Sequence, residues 1–204
     1  MFENAFKAQL SLLTSNQKLI EKYRLEIIER YSKNNRHYHN LTHLEFLLSS
    51  LLPVQNEIDD WQTVIFSIAY HDIIYNPLKN DNEKKSAELA RKRLSALSLP
   101  HRQINKCFAQ IMATRAHSIS ADEDTNLFTD ADLAILGSGS EDYTGYSSLI
   151  RKEYKIYPDF VYIPGRIKVL KHFLEMPRIY KTGYFYNKYE KQARINMEWE
   201  MKNL

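Results

Sequence analysis

With 204 residues, 44% of them apolar, the chain fits one domain with a sizeable core and a small C-terminal extension. Its formal net charge of +3 is spread among interspersed acids and bases, which argues against nucleic acid as a partner and for a small ligand. A lone Cys107 excludes an intrachain disulfide. An N-terminus with Glu3 and Lys7 among its apolar residues lacks a signal-peptide core, and the longest apolar run, Val64 to Tyr70, falls far short of the roughly 20 residues that cross a bilayer. The expectation is a cytoplasmic protein with no membrane span.

Five glycines and six prolines punctuate the chain, no Asn-Gly or Asp-Gly hairpin signal occurs, and apolar residues recur at helical spacing, so the fold class is all-α. A first helix is predicted after Thr14, where Thr14 and Gln17 have capping-box spacing and Ile20, Tyr23, Ile27 and Tyr31 share a face; it ends near Ser32. The segment from Asn35 to His43 then holds three of the seven histidines, His37, His39 and His43, ahead of a helix running towards Pro53. Asp59 or Asp60 is expected to cap the next helix, whose stripe is Trp61, Val64, Ile65, Ile68 and Ala69, with His71 and Asp72 in its last turn. Asp72 lies one turn beyond Ile68 and so points inward, and Asn76-Pro77 ends the helix.

A further helix starts near Asn82-Glu83 on the stripe Ala87, Ala90, Leu94 and Leu97, which extends backwards onto Glu83. Pro100 opens another, carrying Ile104, Cys107, Phe108 and Ile111 towards His117, and Ser118 to Asn126 reads as a polar surface loop. Locally, Thr129 and Asp132 match a capping box, with Asp130 and Asp132 in a helix's first turn. Most of the fourteen tyrosines lie in the C-terminal third, interleaved with Arg and Lys. This mixture reads as helices whose cations surround an aromatic core rather than as a stacking surface for nucleic acid. Pro164-Gly165-Arg166 is expected to start one helix there, and Asn187 to Trp199 forms the last. The chain reads as a single domain, with a core of about 15–140 and a helical extension of about 141–204.

Within Ser67 to Tyr75 an imidazole and a carboxylate, His71 and Asp72, sit side by side in an apolar run. A buried charge needs a partner, and a divalent metal is one; a core His bonded to a carbonyl beside a turn-capping Asp is the other local reading. In chain order, His43, His71-Asp72 and then Asp130 or Asp132 each interrupt an apolar helix. This H, HD, D set resembles the HD superfamily of metal-dependent phosphohydrolases, all-helical proteins. The segments Arg36 to His43, Ala69 to Tyr75, Asn82 to Ala87 and Asp130 to Gly137 are similar to a bacterial subgroup described as predicted metal-dependent HD phosphohydrolases. Similarity continues through Ile150 to Tyr154, Gly165-Arg166 and Glu190 to Asn196.

The resemblance implies an HD-type helical bundle with a Tyr-rich C-terminal extension, and metal ligands His43, His71, Asp72 and Asp132, with His39 and Asp130 as the alternates at the two ends of the set. It implies one divalent ion (Mn, Fe, Co, Ni, Zn or Mg), because only His101 and His117 lie between the doublet and the last Asp, where binuclear members add histidines. Glu83 is the expected acid for the attacking water, His39 and Asp130 further catalytic residues, and Arg36 and His117 contacts for the phosphate. The activity implied is hydrolysis of a small phosphomonoester or phosphodiester. The competing readings are a metal- or nucleotide-binding module without turnover and a di-iron oxygenase. The resemblance leaves a homodimer open.

Overall fold

The computed structural model describes every residue from Met1 to Leu204 and contains ten α-helices, two 3-10 turns and no strand. The all-helical reading therefore stands. α1 (Phe2–Leu13) buries Phe2, Phe6 and Leu10, an i, i+4, i+8 stripe that the sequence reading passed over. Glu45 ties its start down, accepting from the terminal amine at 2.9 Å and the Phe2 N–H at 2.8 Å. α2 (Gln17–Tyr31) buries Ile20, Tyr23, Ile27 and Tyr31, as predicted. Its cap is Asn16, whose side chain accepts from the Leu19 N–H at 3.1 Å; Thr14 instead ends α1, so the expected capping box is not formed.

α3 (Leu41–Leu51) is capped by Asn40 and passes into a 3-10 turn, Leu52–Glu57. α4 (Trp61–Tyr70) is capped by Asp60 and is buried at every position from Thr63 to Tyr70. A helix without a polar face belongs at the centre of the bundle. α5 (Asn82–Ala96) and α6 (His101–Ala113) pack along one another, and α4 lies against both. α7 (Glu123–Leu133) departs from expectation. It starts inside the supposed surface loop, capped by Asp122, and buries Asp124 to Ala131, so Asp130 and Asp132 sit near its end rather than in its first turn. Asp124 explains the earlier start: its carboxylate accepts from the N–H groups of Asp59 and Asp60 and pairs with Lys106, fixing the chain entering α4 to the start of α7.

A second 3-10 turn, Ala134–Gly137, leads to α8 (Ser140–Glu153), α9 (Asp159–Glu175) and α10 (Gly183–Asn203). α9 begins before the expected Pro164, which lies inside it, and α10 is longer at both ends than the predicted last helix. α10 crosses the turn at Gly137, where a Cβ would fall 2.5 Å from Tyr189 Cβ and 2.6 Å from its carbonyl oxygen, so only glycine fits. One apolar cluster of 41 buried residues runs from Phe2 and Phe6 to Phe185, Ala193 and Met197, and the extension thus shares the core of the helices before it. The C-terminal cations lie on aromatic faces, as Arg151 on Tyr162 (4.6 Å) and Arg178 on Tyr186 (4.1 Å) illustrate. No helix is long and apolar enough to cross a membrane.

Candidate metal centre

Three helix ends meet where the charged residues interrupt the core. His43 comes from the first turn of α3, His71 and Asp72 from the end of α4, and Asp132 from the last turn of α7. His43 Nε2 and His71 Nε2 are 3.1 Å apart. Asp132 Oδ1 stands 3.3 Å from the first and 3.6 Å from the second, and Asp72 Oδ2 is 3.3 Å from His71 Nε2. The His43 and His71 side chains are almost wholly buried, whereas Asp72 and Asp132 keep 17% and 14% exposure, enough to open the cluster onto a cavity. The ligand-type atoms of His43, His71 and Asp132 all lie within 4.8 Å of one another.

His71 Nδ1 faces the Ile68 carbonyl at 3.0 Å, and a carbonyl can only accept. Nδ1 therefore carries a proton, and when the ring is neutral, as a metal ligand must be, the Nε2 lone pair faces the cluster. Burial opposes the charged forms, and the neighbours outweigh it. Asp72 and Asp132 lift His71 to about 9, while the histidines hold Asp132 down at about 2 and Asp72 well below the carboxylate range. Burial keeps His43 below its usual value. Two carboxylates converging on two buried imidazoles call for positive charge between them. The donor set fits a divalent cation of the first transition row.

Around this cluster the remaining candidates divide. His39 turns Nε2 towards Asp72 Oδ2 at 3.8 Å and Nδ1 onto Glu153 Oε2 at 2.6 Å. Burial would lower its pKa, but the Asp72 and Glu153 carboxylates raise it. Glu83, in the first turn of α5, and His117 line the same cavity of about 470 Å³, whose rim carries Lys79 and Arg115. His117 sits in the left-handed region at φ 50°, a strained conformation for a residue with a Cβ, and directs Nε2 to Asp132 Oδ2 at 3.6 Å. Burial pushes it down to about 4.

Two expected site residues are elsewhere. Asp130 is fully buried on the other side of α7. It accepts from the N–H groups of Lys181 and Thr182 and the Thr182 hydroxyl at 2.8–3.0 Å, and pairs with Lys181 Nζ at 3.2 Å. It anchors the approach to α10 and has no access to the cavity. One residue of helix turns a side chain by about 100°, so Asp130 and Asp132 cannot share a face. Arg36 does not line the cavity either. Its guanidinium donates to the carbonyls of His39 (3.0 Å), Asp72 (2.7 Å) and Ile73 (2.9 Å) and stacks on Tyr31, holding the histidine-rich turn against the end of α4.

Glu153 is the residue whose role the sequence reading missed. Its carboxylate takes the N–H groups of Tyr38 and His39, the His39 ring and the Tyr75 hydroxyl, and is held down at about 2: burial opposes this, and His39 outweighs it. The available signal was its position on the buried stripe of α8, ten and three residues after Tyr143 and Ile150. An acid there is the same anomaly that singled out Asp72 and Glu83.

Comparison with protein-family models, with curated proteins and with solved structures returned no match to this chain.

Proposed function

We propose that this protein is a metal-dependent phosphohydrolase acting on a small phosphomonoester or phosphodiester, the activity that its resemblance to the HD superfamily implies. The observation that carries the reading is the convergence of His43, His71 and Asp132 from three helix ends, with Asp72 beside His71, at the wall of a cavity. A divalent ion bound there would supply positive charge for the phosphoryl oxygens and lower the pKa of water. His71, locked by Ile68, and His43 present ring nitrogens, and Asp72 and Asp132 present carboxylate oxygens.

Glu83, which lines the same cavity, takes the proton of the attacking water as the new P–O bond forms. His39, held through Nδ1 by Glu153, gives its Nε2 proton to the leaving oxygen as the old P–O bond breaks. Lys79 and Arg115 on the rim attract the phosphate, the role the sequence reading gave to Arg36.

The test is elemental analysis of the purified protein followed by turnover on a panel of phosphoesters. About one divalent ion per chain and oxygen-independent release of phosphate or alcohol are expected. Bound metal without turnover on any ester would indicate a binding module. Two irons per chain with oxygen consumption would indicate an oxygenase.

A further inference from the structure

Beside the metal cavity lies a second one of about 420 Å³, walled by α8, α9 and the segment joining them. We infer that this slot binds an uncharged aromatic group carried by the leaving alcohol of the substrate. The inference rests on the phosphohydrolase reading for the identity of that group, though not for the existence of the slot.

Four observations point to this occupant. First, the two cavities share a wall: His39, Tyr146, Tyr154, Arg166 and Val169 line both. The group beyond His39, the residue that protonates the leaving oxygen, is the leaving alcohol. Second, the lining is apolar and aromatic, with Tyr146, Tyr154, Tyr157 and Tyr162 beside Ile150 and Val161. Ring faces and edges of this kind favour a planar aromatic partner in offset or edge contact. The volume lies in the range of ordinary small-molecule sites.

Third, the slot has no unpaired charge to attract a second anion, since His39 is held through Nδ1 by Glu153 at 2.6 Å. Its one arginine, Arg166, is bound through two nitrogens to Glu200, at 2.7 and 3.0 Å. Fourth, two features of the lining lack a structural explanation. Gly165 sits inside α9, where glycine weakens a helix, yet a Cβ at this position would meet nothing within 4 Å. Packing does not require the glycine; its effect is to leave the slot open. The hydroxyl of Tyr162, a residue that lines the slot, is buried and has no hydrogen-bond partner in the protein.

The experiment compares benzyl phosphate with n-butyl phosphate, whose leaving alcohols have similar acidity, and separately follows binding of benzyl alcohol by saturation-transfer NMR. The parent protein should favour benzyl phosphate at least tenfold in kcat/KM, about 1.4 kcal/mol, and should bind benzyl alcohol. Gly165→Trp, which fills the slot, should bring the benzyl-to-butyl ratio close to one and abolish benzyl alcohol binding, with folding checked by circular dichroism. Equal rates on the two esters, together with no benzyl alcohol binding, would overturn the slot and leave the hydrolase standing. Benzyl alcohol binding lost in Gly165→Trp, with no ester hydrolysed, would keep the slot and overturn the hydrolase. If Gly165→Trp does not fold, the parent's ester ratio and alcohol binding decide by themselves.

Discussion

His39 Nδ1 lies 2.6 Å from Glu153 Oε2, joining the histidine-rich turn before α3 to the end of α8 across 114 residues of sequence. The same carboxylate accepts the main-chain N–H groups of Tyr38 and His39 at 2.8 and 2.9 Å and the Tyr75 hydroxyl at 2.8 Å. One buried acid thus fixes the backbone, the ring and the tautomer of His39 together, leaving Nε2 as the nitrogen that faces the cavity. Carboxylates that orient a working histidine from behind usually contribute about 10–100-fold.

Glu153→Gln preserves shape and removes the charge. If His39 acts on the leaving oxygen as proposed, and not in substrate capture, the variant should keep its bound metal and lose about 10–100-fold in kcat with little effect on KM. Metal content and steady-state kinetics check this. A variant with the parent's kcat would show that His39 needs no orienting acid.

The same residue sets an acid limit on stability. The Glu153 carboxyl is lowered from 4.5 to about 2 in the folded chain. A depressed acid stabilises the fold fully above its unfolded value, and that contribution is lost as pH falls through the folded one. For a side chain with no exposure, this interval corresponds to on the order of 3 kcal/mol. Urea unfolding of the parent and of Glu153→Gln should therefore show a gap at pH 6 that narrows steadily between pH 4.5 and 2. A gap independent of pH would mean that the ion pair with His39 contributes nothing.

Most of the helical scaffold was legible because burial writes a period into the chain: the stripes of α2, α5 and α6 appear in the sequence much as they do in the fold, whereas α4 is buried all round. The helix starts were read less well. Thr14 and Thr129 both had capping-box partners, yet Asn16 and Asp122 cap α2 and α7, because a capping signal is three or four residues of local chemistry and tertiary contacts choose among several. Asp124, bonded to Asp59 and Asp60, is such a contact and has no local trace. Within the site, His43, His71, Asp72 and Asp132 stood out as polar interruptions of apolar runs. Asp130 stood out equally and Arg36 read as a phosphate contact, and only three-dimensional packing separates a residue that holds the site together from one that lines it.

Asp130→Ala should accordingly act on stability and not on metal. Removing the carboxylate strands Lys181 Nζ and leaves the Lys181 and Thr182 N–H groups without their acceptor. Loss of one partner of a buried pair costs roughly 3–5 kcal/mol. Chemical denaturation should show a loss of that order, while metal content per folded chain stays at the parent's level. Metal loss at unchanged stability would return Asp130 to the ligand set.

Asp72→Ala should do the reverse. Asp72 Oδ2 faces His71 Nε2 at 3.3 Å and retains partial exposure to the cavity, so its removal leaves the helices intact and weakens the donor set. Elemental analysis should find the variant depleted of metal with the parent's far-ultraviolet circular dichroism. His43→Ala should behave likewise and His39→Ala should keep its metal; the opposite pattern for these two histidines would exchange their roles.

Glu83 supplies the sharpest kinetic prediction, because it is a carboxylate on the cavity wall that belongs to neither the convergent cluster nor a buried ion pair. It lies in the first turn of α5, half-buried, on the face continued inward by Ala87, Ala90 and Leu94. Its backbone position is thus fixed by the core while its carboxylate remains on the cavity with Asp72 and Asp132. Glu83→Gln retains the shape and the hydrogen-bonding reach and removes the ability to accept a proton. Loss of a general base usually lowers turnover by about 10²–10⁴-fold. The variant should therefore bind metal and ester as the parent does and turn over slower by that factor under saturating metal. Equal rates for Glu83→Gln and the parent would assign proton removal to another group, and His117, with Nε2 3.6 Å from Asp132 Oδ2, is the next side chain to substitute.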